Sequence, residues 1–212
     1  MLKMLKNNAG LIVVFVSMLV FRTAIADWSP VPTSSMEPTI LPGDVLLINK
    51  TILGPAIPFT EARLFAFAQP QRGDIITFTP PHEEITYVKR VIGVPGDRIR
   101  TEGLQVFVNG RPLALEITDE GQNSGMLKAI ETIDGHAHQI TLDTSRGMRQ
   151  QEMEITVPPH AYFVMGDFRN NSEDSRYFGF VSEDKLIGRV TRLAVSIADD
   201  RGFFSSIGQT LQ

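Results

Sequence analysis

Leu104-Gln105-Val106-Phe107-Val108-Asn109-Gly110-Arg111-Pro112-Leu113-Ala114-Leu115 reads as a β-hairpin. Apolar, β-branched and aromatic residues flank an Asn-Gly pair, whose members accept the positive φ angles of a type I′ turn. Outward from it the same texture recurs. Asp44–Asn49, Asp74–Phe78 and Ile85–Ile92 are short strand-like runs bounded by Pro, Gly and Asp, and Gln139–Leu142, Glu154–Val157, Tyr162–Met165 and Leu186–Ile197 are further candidates. Past residue 27 no stretch keeps a helical period, although Thr60–Ala68 has the composition of a short helix. The expected fold is all-β, an antiparallel multi-stranded domain. Its core is expected in residues 27–102 and 159–200, with the more polar residues 103–158 as a β-rich insertion and 201–212 as a C-terminal tail.

Composition narrows the function. The chain has 212 residues, of which 42% are hydrophobic and 21% charged, an ordinary globular balance that excludes a disordered or fibrous chain. Twenty Lys and Arg against 24 Asp and Glu give a formal charge of −4, which argues against nucleic acid as the partner. With no cysteine, disulfides, a thiol nucleophile and thiolate metal sites are all excluded.

Residues 1–26 differ in kind, carrying Lys3, Lys6 and Arg22 and no acid. Behind the two lysines runs Ala9–Phe21, and extending it to Ala26 gives 18 residues, roughly 27 Å of helix. Two readings fit: a transmembrane anchor over 9–26 after a cytoplasmic 1–8, or a secretory signal cleaved after Ala24-Ile25-Ala26. Both keep the lysines inside and deliver everything from residue 27 outside the cytoplasm.

Three segments could carry chemistry. Pro32-Thr33-Ser34-Ser35-Met36-Glu37-Pro38-Thr39 sets hydroxyls between prolines, which predicts a rigid extended presentation. Lys89 sits in Tyr87-Val88-Lys89-Arg90-Val91-Ile92, where period two places it with Tyr87 and Val91. A lysine among apolar neighbours loses hydration, so its pKa falls and a neutral amine becomes available as a base. Gly166-Asp167-Phe168-Arg169-Asn170-Asn171-Ser172-Glu173-Asp174-Ser175-Arg176 crowds charges and amides behind an apolar strand, with Asp174 and Arg176 spaced to pair. Taken singly, each also reads as an ordinary solvated turn, edge lysine or loop. The histidines, His82, His136, His138 and His160, read as exposed loop or strand-end residues, and no carboxylate completes a metal set around His136 and His138.

Together with Arg72-Gly73-Asp74-Ile75 and the continuation to Gly93-Val94-Pro95-Gly96-Asp97, these segments resemble, in order, the boxes of bacterial type I signal peptidases. The resemblance runs from the N-terminal apolar segment to about residue 197, and is loose over 103–158. It implies an all-β catalytic domain behind a retained anchor, placed on the outer, periplasmic side of the bacterial cytoplasmic membrane. It implies a serine endopeptidase that removes signal peptides from preproteins with small residues at −1 and −3, without metal or cofactor. By resemblance Ser35 is the nucleophile and Lys89 the general base, Thr33 contributes to the oxyanion hole, and Ser172 orients the lysine. Asp174 and Arg176 form a structural ion pair, and Val31, Pro32, Met36, Ile40, Tyr87 and Val88 wall the substrate pockets. Two positions depart from the family pattern: Phe168 and Asn170 stand where Asn and Asp are usual.

Three other readings share parts of this pattern. A self-cleaving repressor would use the same Ser–Lys pair but carries an N-terminal DNA-binding domain, where this chain has an apolar segment. A pilin-type processing peptidase would share both the dyad and the export. A membrane-anchored binding protein could keep the fold without catalysis, a reading opposed by the joint presence of Ser35, Lys89 and Ser172.

Overall fold

The computed structural model describes residues 8–51, 54, 68–120, 124–146 and 152–196. The helix expected at Thr60–Ala68 falls outside them except for Ala68, as do Ile197 and the C-terminal tail. A first helix, α1 (Ala9–Ala24), precedes fourteen strands among the described residues. At 16 residues it spans roughly 24 Å. No described helix is long and apolar enough to cross a membrane. Where the sequence suggested one segment running to Ala26, the helix stops at Ala24, because strand β1 (Ala26–Pro30) already pairs Ala26 with Asn49 of β2 (Asp44–Asn49).

The main sheet is antiparallel and seven-stranded. Its members are β1, β2, β3 (Ile75–Phe78), β4 (Tyr87–Gly93), β12 (Ala161–Met165), β13 (Val181–Ser182) and β14 (Leu186–Ser196), in the order β1-β2-β14-β3-β4-β12-β13. Interruptions of register along β14, at Leu186/Gly188, Val190/Arg192 and Leu193/Val195, let one long strand bend while it pairs with both β2 and β3. Both faces of this sheet are covered. Ile76, Phe78, Val91, Tyr162 and Val164 pack on one side; Ile75, Leu46, Ile48 and Leu193 pack with Val31, Met36 and Ile40 in another cluster. That is why the central strands read as near-continuous apolar runs rather than alternating ones.

Residues between β4 and β12 form two smaller antiparallel sheets. β5 (Arg98–Glu102), β6 (Gln105–Val108), β7 (Arg111–Pro112) and β11 (Met153–Thr156) give the order β11-β5-β6-β7; β8 (Ala114–Asp119), β9 (Met126–Ile133) and β10 (His136–Asp143) give β10-β9-β8. The Asn109-Gly110 turn joins β6 to β7 with φ of 53° and 78°, as its sequence requires. β9 and β5 were not legible as strands. In β9 the inward positions are Ala129, Glu131 and Ile133, so a buried carboxylate sits where an apolar residue would have revealed the period. The insertion is also less separate than its polarity suggested: Ile99, Val106, Val108 and Ile133 share one cluster with Ile92, Phe163 and Met165 of the main sheet.

Candidate active site

The loop between β1 and β2 carries Ser35. Its entrance is clamped by Val31 N–H donating to the Asp44 carbonyl and Gly43 N–H to the Val31 carbonyl. Between the clamps the chain is not extended, as its prolines suggested, but turned. Glu37 N–H donates to Ser34 O and Ile40 N–H to Met36 O, at 3.0 and 2.9 Å, and the Glu37–Pro38 bond is cis. The turn drives Met36 and Ile40 into the core and leaves Ser35 half-buried at the mouth of a cleft.

Lys89 reaches that mouth from β4. Its Nζ donates to Ser35 Oγ at 2.7 Å and to the Val88 carbonyl at 3.0 Å, and lies 5.1 Å from the centroid of the Tyr87 ring. Lys89 is 3% exposed. Burial pushes its pKa down from 10.5 to about 8, against an upward pull from the carboxylates of Asp174, Asp167 and Glu173. The Thr33 hydroxyl lies 3.5 Å from Ser35 Oγ.

The cleft is about 570 Å³ and is lined by Val31, Pro32, Thr33, Ser35, Met36, Tyr87, Val88 and Lys89, joined by Ser29, Pro42, Ile85, Asn171 and Glu173 among others. Ile40, expected as a wall residue, is not part of it. It is wholly buried against Leu46, Ile48 and Ile75, because the Met36–Ile40 turn aims it inward. Sequence reading missed Ile85, Asn171 and Glu173; the last two lie inside a quoted motif, and Ile85 precedes the Lys89 strand as an isolated exposed residue.

Behind the cleft lies the segment Gly166–Arg176. Asp174 takes a two-pronged bond from Arg176, Nε to Oδ1 at 2.8 Å and Nη2 to Oδ2 at 2.7 Å, caps the short helix α2 (Ser175–Phe178), and accepts the Gly166 N–H. Desolvation would raise the Asp174 pKa, but the Arg176 charge and these bonds outweigh it and hold the carboxyl below its ordinary value. Ser172 was expected to orient Lys89. Its buried Oγ makes no well-formed hydrogen bond; it lies close to Gly166 and near the Asp174 carboxylate, whose pKa it helps to lower. Gly166 has no room for a side chain: a Cβ would run into Ser172 Oγ and the Ser35 carbonyl oxygen.

Two further buried ion pairs were missed. Arg90, next to Lys89 but on the opposite face, grips Asp167 at 2.9 and 2.8 Å, and Arg169 grips Glu131 at 2.8 and 2.6 Å. His138 is buried, not exposed, with Nε2 3.3 Å from Glu131. The outer boxes do structural work: Arg72 forks onto Asp97 at 2.7 Å through both Nε and Nη2. Both family departures have places here. Phe168 is packed inward while its N–H donates to the Ser35 carbonyl at 3.2 Å, and the Asn170 side chain bonds the Asp143 N–H and carbonyl at 2.9 and 2.7 Å. Among the described residues no group of three His, Asp or Glu side chains could hold a metal ion.

The layout is a hydroxyl held against a desolvated amine at the mouth of a partly apolar cleft, the layout of a nucleophile with its base. Comparison with known proteins identifies the family. The family model described as signal peptidase, peptidase S26, matches residues 4–194. A signal peptidase I of Pseudomonas aeruginosa is 33% identical over 199 residues, 86% of this chain and 69% of its own. One from Pseudomonas fluorescens is 32% identical over 185 residues, 81% of this chain and 65% of its own. A signal peptidase I structure from Enterococcus faecalis V583 aligns at 32% identity over 58% of this chain and 97% of its own, with a TM-score of 0.38. The chain belongs to the signal peptidase S26 family of peptidases, and spans about two thirds of the length of these two Pseudomonas relatives.

Proposed function

We propose that this chain is a membrane-anchored serine endopeptidase that removes signal peptides from exported preproteins. The observation that carries the mechanism is the 2.7 Å contact between Lys89 Nζ and Ser35 Oγ, made by a lysine whose pKa is about 8. Once the amine is neutral, the hydrogen bond reverses. Ser35 donates its proton to Lys89 as Oγ adds to the scissile carbonyl, and the oxyanion develops against the Thr33 hydroxyl and the Ser35 N–H. Lys89 returns that proton to the departing amine, leaving an acyl ester on Ser35. It then takes a proton from water, which attacks the ester, and hands it back to Ser35 as the new carboxylate leaves. Thr33 lies on the Ser35 side of the cleft, which suits it to this role. Asp174 and Arg176 act through structure, and Ser172, buried behind the cleft, orients Lys89.

Substrates are preproteins with small residues at −1 and −3. Val31, Pro32, Met36, Tyr87 and Val88 line the cleft, and we infer that the pockets they wall are shallow, as short side chains require. No metal or cofactor enters any step.

The same reading divides the chain into a cytoplasmic 1–8, an anchor in 9–26 whose helical part is Ala9–Ala24, a catalytic core in 27–102 and 159–200 that Ala26 joins through β1, an insertion at 103–158 and a tail at 201–212. The anchor holds the catalytic domain on the outer face of the bacterial cytoplasmic membrane. In its support, Ile25, Trp28 and Ile85 are exposed near the start of β1 and the cleft, a placement suited to an interface between water and lipid. The test is incubation of the purified full chain with a preprotein beside a Ser35→Ala control. Cleavage by the first and not the second is expected. Equal cleavage by both would remove Ser35 from the mechanism.

A further inference from the structure

The β9–β10 hairpin contributes no residue to the cleft lining, yet it holds the loop that holds Ser35. Three ties join them. Thr141 of β10 donates its N–H to the Asp167 carbonyl at 2.9 Å and accepts from the Arg169 N–H at 2.8 Å. Asn170 bonds both backbone groups of Asp143. Glu131 of β9 receives both prongs of the Arg169 guanidinium, at 2.8 and 2.6 Å, with each side chain 1% exposed. From the far side of the loop, the Phe168 N–H donates to the Ser35 carbonyl and Asn171 Nδ2 donates to Ser34 Oγ at 2.8 Å.

We propose that Glu131 is a positioning residue for the reaction: its carboxylate fixes Arg169, and through the backbone of residues 167–171 it sets where Ser35 stands relative to Lys89. The proposal rests on the signal-peptidase reading above, and it gives the insertion a part in catalysis. A carboxylate and a guanidinium joined by two parallel bonds have one preferred mutual orientation, unlike an apolar contact, which tolerates sliding. The pair also stays charged. Desolvation pushes the Glu131 pKa upward, but the Arg169 charge and bonds from His138 and Arg169 outweigh it and hold the group at about 2.

Simple neutralisation of a buried Arg169 is the competing role, and a double replacement separates the two. Glu131→Leu with Arg169→Met removes both charges while keeping the volume, so the fold survives without the oriented fork. Two quantities are read on the full chain: kcat and KM for a preprotein peptide, and amide hydrogen exchange at Phe168 beside Tyr162 and Val164 in the core. Expected are a kcat lowered about 10- to 100-fold with KM within about threefold, the signature of a misplaced reacting group. Phe168 protection should fall about tenfold while the core amides hold. Wild-type kcat together with wild-type protection at Phe168 in the double variant overturns the proposal. If the double variant does not fold, Glu131→Gln, which keeps the shape and one acceptor, is read by the same two measurements. Should the wild-type chain cleave no preprotein, the functional reading fails, and exchange at Phe168 alone still decides whether Glu131 governs the Ser35 loop.

Discussion

Lys89 and Arg90 are consecutive on β4, both almost fully buried, and only Arg90 is given a carboxylate at ion-pair distance. Asp167 meets the guanidinium on one face of the strand; on the other, Lys89 finds the neutral oxygens of Ser35 and Val88. One cation is thereby paired within the scaffold, and the other, desolvated without such a partner, has its pKa lowered.

Activity should therefore climb with pH along a limb near 8, the Lys89 value, rather than near the 10.5 of a free lysine. The sign follows from the amine: it is an acceptor only above its pKa. A pH profile of kcat/KM on a peptide substrate checks this, and a chelator is expected to leave the profile unchanged. A limb near 10.5 would contradict a desolvated base.

Stability should move with the same group. Folding lowers the Lys89 pKa from 10.5 to about 8, so between those values the unfolded chain binds a proton that the folded chain has released. Stability contributed by this group thus rises with pH from about 8 to 10.5, and below 8 the buried ammonium imposes its full cost. Lys89→Met should raise Tm at pH 7, with a gain of order 1–3 kcal/mol that disappears near pH 10.5. Thermal melts at the two pH values measure it; a loss of Tm at pH 7 would mean that the hydrogen bonds of Lys89 outweigh its desolvation.

Ser35→Ala and Lys89→Ala should each lower preprotein processing by about a thousandfold or more while circular dichroism stays unchanged. If the two side chains form one proton-transfer unit, as proposed, the double variant should be no slower than either single one. Additive losses would separate them into independent roles.

Gly166→Ala should abolish processing and lower Tm, since the new methyl group meets the Ser35 carbonyl and the Ser172 side chain. Forcing a side chain into packed space costs about 1–3 kcal/mol. The comparison with Gly110→Ala is informative: that site has open space and a φ of 78°, so strain arises there without any approach to Ser35, and processing should persist.

The N-terminal segment is expected to remain attached. Protein recovered from membranes should begin at or near Met1 on N-terminal sequencing. A soluble protein beginning at Asp27 would replace the anchor with a cleaved signal.

The strands that carry site residues were legible because their residues are uniform in character: Asp44–Asn49 has the same bounds in sequence and structure, and the Lys89 strand is displaced by only two residues at its start. What escaped were places where burial and polarity part company. Glu131, Arg169 and His138 are buried in one cluster through pairing that no single stretch of sequence exhibits, since their partners lie up to 38 positions away. The turn at Ser34–Ile40 misled for a local reason. Its prolines suggested extension, whereas hydrogen bonds within the loop and the burial of Met36 and Ile40 bend it. Ile40 went wrong with it, facing the core where the cleft wall was expected.

The bond from Phe168 to Ser35 belongs to the main chain on both sides, as do the two bonds that tie residues 167 and 169 to Thr141. An amide donates in the same way whatever side chain it carries, proline excepted. The register of Ser35 is thus insulated from mutation at position 168, where the side chain has only to fill a buried space. Evolution can drift there while the apparatus stays aligned. A search for relatives keyed to an invariant letter at that position would discard chains whose backbone does the same job, and one keyed to Gly166 would not.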